Sequence, residues 1–225
     1  MEGRRARLRA HLLGEIKGAA LEELRRTGAA ALSLREVARA AGISPSGLYR
    51  YVDGRDGLLE LLISDGFENL GRAVQSAIDT AGDDVVAQLE AAAFGYHRWA
   101  RDNPEQFGLI LGTPVPGFHA SPAGPTVEGV RRFSEPMIRV VASTWAFAHP
   151  SVLPDLVSDT GDLPGEMVRA IVRCWSRLHG LVCLDTFGHL EWSGIDVEEL
   201  LRAEVRSIVD ELGLSRELSP RPATH

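Results

Sequence analysis

The sequence predicts an all-α fold, and three observations carry that prediction. Sustained alternation of apolar and polar residues, the mark of a half-buried strand, is missing from the 225 residues. Apolar residues recur instead every three or four positions through nearly every segment, which is the spacing of one helix face. Cap and stop residues punctuate those segments, with Ser or Asn in front and Gly behind.

The elements follow in order. From about Arg4 to Arg26, residues Leu8, Leu12, Ile16, Ala20 and Leu24 form one stripe, and Gly28 stops the helix. "SLREVARAAG" opens on Ser33 with Glu36 three residues on, a capping box, and Gly42 closes it. Ser44 and Pro45 then start a short helix, Ser44 to Val52, whose only apolar anchors are Leu48 and Val52. "DGRDG" breaks the chain before a long helix, Asp56 to Ile78. Further helices are expected over Asp84–Arg101, from Asn103 through "NPEQFGLILG", over Thr126–Phe147 around Pro136, over Gly165–Phe187 and over Val197–Leu212. Pro- and Gly-rich loops fill Thr113–Pro125 and the stretch "HPSVLPDLVSDTGDLP". The layout is a three-helix head (residues 1–57), a long connecting helix leading into a helical-bundle body (58–215), and a frayed tail (216–225).

Charge separates these regions. Residues 1–57 hold eleven basic and seven acidic side chains, a net of +4, whereas 58–225 hold thirteen basic and twenty-four acidic, a net of −11. The basic head points to an anionic partner that the overall charge of −7 conceals. Two cysteines, Cys174 and Cys183, nine apart on one helix, face opposite sides and cannot bridge within it. A charged N-terminal segment and the lack of an apolar run of about 18 residues predict a cytoplasmic protein without membrane spans.

Two helices joined at Gly42–Ile43 have the spacing of a helix-turn-helix. A short polar helix cannot hold itself together in water, so its neighbours must supply the packing. Leu34, Val37, Ala38, Ile43, Leu48 and Val52 would face that shared core, leaving the outer side free for the major groove of duplex DNA. Ser46 and Arg50 are best placed for base edges, Arg50 preferring guanine, and Ser44 for a phosphate. Tyr49 and Tyr51 can reach phosphate or thymine methyls, and Arg55 can grip a flanking phosphate. Ser33, Arg35 and Pro45 complete the expected DNA-facing set.

"TGAAALSLREVARAAGISPSGLYRYVDGRDGLL", Thr27 to Leu59, resembles the DNA-binding domain of the TetR/AcrR family of transcriptional regulators. Gly28, Ser33, "VARAAGIS", "LYRYV" and the "RDGLL" start of the next helix carry the likeness. Val52 stands where that family usually has Phe, and Arg55 where it usually has Lys. "W-x-x-x-H-G-L", with Trp175, His179 and Gly180, resembles the WHG type of C-terminal domain in the same family. The resemblance implies a homodimer on a palindromic operator, repressing transcription until a small ligand binds the body. Aromatic residues in the body favour a bulky apolar or aromatic effector, with Phe67, Phe94, His97, Arg98, Phe107, Trp145, Trp175 and His179 as candidate pocket residues. The two closing helices suggest a dimer face made of Gly180, Leu184, Leu200, Leu201, Val205 and Ile208.

Two other readings stand beside this one: a DNA-binding dimer that ignores ligands, and a small helical enzyme using His179 and Asp185. No nucleophile is spaced with a base and an orienting group, so an enzyme is not expected. The scattered histidines predict neither a metal site nor a cofactor.

Overall fold

The computed structural model describes residues 2–112, 115–118, 124–148 and 165–213. These form nine α-helices and no strand among the described residues: α1 (Glu2–Thr27), α2 (Leu34–Ala40), α3 (Pro45–Leu48), α4 (Gly54–Thr80), α5 (Val85–Asp102), α6 (Pro104–Leu111), α7 (Pro125–Ala148), α8 (Gly165–Thr186) and α9 (Val197–Glu211). The all-helical expectation holds. The segment 149–164 and the tail 216–225 lie outside the described residues, as does part of the loop expected over 113–125.

Contacts divide the chain into two units: Met1–Asn69 with Asn103–Phe133, and Leu70–Asp102 with Ser134–His225. The boundary expected after residue 57 lies inside this first unit, which runs on along α4 to Asn69, and Leu58, Leu59 and Leu62 are fully buried in the head core with Ile16, Ala20, Val37, Ala38 and Leu48. That core joins the stripe of α1 to the inner faces of α2, α3 and the start of α4. Small residues bring more helices into the same unit. A Cβ added to Gly66 of α4 would lie 2.8 Å from Ile110 Cγ2 of α6, and one added to Gly129 of α7 would lie 3.2 Å from Phe67 Cβ. Both helices therefore sit directly on the backbone of α4. Lys17 of α1 pairs with Asp65 of α4, and Arg25 reaches Glu105 of α6 at 3.4 Å.

The second unit is built on α5, α8 and α9, with the later parts of α4 and α7. Asp196 caps α9 by accepting from the amides of Glu198 and Glu199. Gly95 of α5 seats against α4, its missing Cβ leaving room for Ala77. Leu89, Tyr96, Met167, Leu178, Val182 and Leu201 fill the interior.

Candidate functional site

The head presents one solvent-facing polar surface, and local chemistry explains its shape. Ser33 caps α2 by accepting from the amide of Glu36 at 3.4 Å. At the other end Gly42 takes a positive φ of 69°, and the Ile43 amide reaches back to the Ala38 carbonyl at 3.0 Å. This is the six-to-one closure that favours glycine and turns the chain sharply. Ser44 Oγ accepts from the Gly47 amide and lies 3.1 Å from Ser46 Oγ, so Ser44 is engaged as the cap of α3. The helix itself is shorter than expected. Beyond Leu48 the backbone tightens, with the Arg50 amide bonded to Gly47 O and the Tyr51 amide to Leu48 O.

The expected DNA-facing residues separate into two groups. Arg35, Pro45, Ser46 and Arg50 are exposed, and Tyr49 is 60% exposed. Arg35 and Arg50 have no ion-pair partner among the described residues. The other group is engaged by the head itself. Tyr51 is half-buried against the core with the Arg9 guanidinium 5.6 Å from its ring centre. Arg55 Nη2 donates to the carbonyls of Ala29 at 2.7 Å and Ala30 at 3.4 Å.

In the second unit a cluster of the buried Tyr96 with the half-buried Trp175, His179 and Cys183 gathers on α5 and α8. Tyr96 Oη lies 2.7 Å from His179 Nδ1, and Trp175 stacks on the imidazole with centroids 4.9 Å apart. Cys183 Sγ is 3.4 Å from His179 Nε2. Burial lowers the imidazole's pKa below 6.5 and raises the phenol's, so Tyr96 donates to a neutral His179. Burial also pushes the Cys174 thiol up to about 11, which keeps it an inert thiol. Next to this cluster, His97 Nε2 meets Asp185 Oδ2 at 2.7 Å, and Arg101 stands 3.7 Å from the same carboxylate. Asp185 thus serves His97, not His179. A cavity of about 200 Å³ is lined by Phe94, His97, Arg98, Arg101, Asp102 and Glu198, and Arg202 lies 5.1 Å from the centre of the Phe94 ring.

Of the candidate pocket residues, Phe94, His97 and Arg98 share that cavity, while Trp175 and His179 belong to the stacked cluster. Trp145 is buried. Phe67, beside Phe133 at 5.9 Å, and the fully buried Phe107 belong to the head unit. Arg101, Asp102 and Glu198 line the cavity unforeseen; the spacing of His97 to Arg101 and of Arg98 to Asp102, one turn apart, was the available signal. Of the candidate dimer residues, Leu201, Val205 and Ile208 face the interior, at most 2% exposed. Leu200 is half-buried, and Leu184 is 44% exposed. Gly180 is half-buried, and among the described residues no atom beyond its own stretch of helix lies within 4 Å of where its Cβ would be.

Comparison with known proteins agrees with this architecture. Residues 16–62 match the family of bacterial regulatory proteins of the tetR type, and residues 89–208 match the tetracyclin repressor-like C-terminal domain. The HTH-type transcriptional regulator Rv1816 of Mycobacterium tuberculosis is 32% identical over 200 residues, covering 83% of this chain and 85% of its own. The crystal structure of SCO4313, a candidate regulatory protein, superposes with a TM-score of 0.73 at 31% identity over 93% of this chain and 98% of its own. FadR of Bacillus subtilis, solved with stearoyl-CoA, shares the fold alone: TM-score 0.57 at 11% identity, over 88% of this chain and 97% of its own. The chain belongs to the TetR family of transcriptional regulators, with a DNA-binding helix-turn-helix in its head.

Proposed function

We propose that this regulator is a homodimeric repressor that sits on a palindromic operator through two copies of α3 and leaves it when a small molecule occupies the body. One observation carries the DNA part. Ser46 on α3, and Tyr49 and Arg50 in the turn that follows it, stand exposed on a segment whose other side is locked into the head core by Leu48 and Val52. An exposed hydroxyl and phenol next to a guanidinium that has no ion partner among the described residues suit base edges in the major groove. Arg35 and Pro45 lie exposed on the same helix pair and complete the contact set.

Dimerisation is supported by α8. Val168 and Val172, one turn apart, are exposed, as is Leu184 further along, with Ser176 and Gly180 between them. Exposed apolar residues beside small ones suit the close crossing of a second helix. The two-fold pairing that results sets two reading heads at a fixed spacing, as recognition of a palindrome requires.

The effector reading rests on the α5–α9 cavity. At about 200 Å³ it is smaller than the pockets of drug-sized ligands, and five of its six lining residues are polar. That favours a compact molecule with hydrogen-bonding groups beside an apolar part that meets Phe94, in place of the bulky apolar effector expected from composition. Release requires the molecule to bind the DNA-free state more tightly than the DNA-bound one.

Selection of bound duplexes from a random pool tests the reading. The expected result is an inverted repeat whose half-sites lie about 34 Å apart, one helical turn, or a multiple of that. A single unrepeated site, or no enrichment at low ionic strength, overturns it.

A further inference from the structure

We infer that Arg55 is a positioning residue that holds the helix-turn-helix in its reading pose from inside the head, and is not a phosphate contact. This rests on the reading of α3 as the operator-facing element. Arg55 stands in the first turn of α4, three residues past Val52, where the helix-turn-helix ends. Its Nη2 donates to Ala29 O at 2.7 Å and Ala30 O at 3.4 Å, and those residues form the 3-10 turn that leads into the cap of α2. One guanidinium therefore ties the exit of the helix-turn-helix to its entrance, across 26 residues.

The clasp is well placed to matter. α3 spans only Pro45–Leu48, and Leu48 is its single buried residue. So short an element has little grip of its own on the core, and its orientation depends on what fixes its two flanks. On one flank Gly54 takes a φ of 69°, a turn that sends the chain directly into Arg55. On the other, Leu32 is buried beside the clasped turn, and its amide meets Ala29 O at 3.5 Å, a long bond that leaves Arg55 as that carbonyl's closer donor. The Arg55 side chain is only 29% exposed, and its Nη1 lies 3.6 Å from Asp56 Oδ1. A charged donor aimed at two backbone carbonyls, with a carboxylate at its other nitrogen, is arranged for internal bonding.

The two roles predict different salt behaviour. A lost phosphate contact weakens binding to every sequence and lowers the slope of log K against log salt by about 1. A lost clasp leaves the count of phosphate contacts unchanged and lets α3 drift from the base edges. Arg55→Ala should then reduce affinity for the selected operator about tenfold or more, the size of a lost charged hydrogen bond. Affinity for unrelated duplex should stay as in the wild type, and the salt slope should not change. Arg55→Gln, which removes the charge and keeps a donor, should recover part of the operator affinity with the same slope, and it serves as the slope measurement if Arg55→Ala does not fold. Arg55→Lys should also recover part, as a single donor.

A slope lower by about 1 in either neutral variant makes Arg55 a phosphate contact and overturns the inference. Equal losses on operator and unrelated DNA that follow the unfolded fraction by circular dichroism overturn it too, as a purely structural effect. If the wild-type protein prefers no duplex at all, it is the operator-facing reading of α3 that fails.

Discussion

The helix-turn-helix and the closing helix pair α8–α9 solve opposite problems, and the contrast explains why one can be read from sequence more fully than the other. A DNA-reading face has to be polar and exposed, so the residues that do the work are those that a core would never select. Ser46, Tyr49 and Arg50 are conspicuous for that reason. A helix face made for a second copy is apolar, and so is one made for its own core. The stripe of α9 reads equally well as either, and the structure turns Leu201, Val205 and Ile208 inward.

The sharpest way to probe that contrast is Leu201→Glu. Leu201 has no exposure, so the charge enters the packed interior and should destabilise the body by about 4 kcal/mol or more. Thermal melts by circular dichroism are expected to show the loss; a well-folded monomer would return Leu201 to an intersubunit face. Leu184→Glu, at an exposed position on α8, should keep the fold and shift the dimer toward monomers in sedimentation. An unchanged dimer there would move the contact off α8. Arg50→Ala should leave the melting curve as it is and weaken operator binding by about 1–3 kcal/mol, with one base position relaxed in the footprint. A uniform loss over all sequences would make Arg50 a backbone contact.

Proton linkage offers the gentlest test, and it addresses the body alone. Burial holds the His179 pKa below the ordinary 6.5, so the unfolded chain takes up a proton before the folded one does. The stability that the neutral imidazole contributes is complete above pH 6.5 and is lost as the pH falls through that value toward the folded pKa. His179→Phe should flatten this acid limb in melts run at about pH 7.5 and about pH 5.5. An equally steep decline in the variant would assign the effect to other groups.

Much of the head was legible because local rules and tertiary needs coincide there. The Ser33 and Ser44 caps, and the turns at Gly42 and Gly54, have chemical reasons that need no knowledge of distant residues. Two things escaped. The reach of Arg55 back to Ala29 links positions 26 apart, and nothing in the local sequence announces that bond. The grouping of Asn103–Phe133 with the head depends on helices settling onto Gly66 and Gly129, a fit of shapes that charge and composition do not encode. In the body the sequence marked Trp175, His179 and Asp185 as chemically interesting, yet their pairing was decided by which residues α5 brings across. Tyr96 takes the imidazole, and His97 takes the carboxylate.

The empty surroundings of Gly180 make it a natural sentinel. A methyl group grafted there meets no atom of the described residues beyond its own stretch of helix and, by helix propensity, should make an isolated chain slightly sturdier, by about 1 kcal/mol. Any harm done by Gly180→Ala would therefore be inflicted from outside, so one small graft can report that another molecule is leaning on the helix.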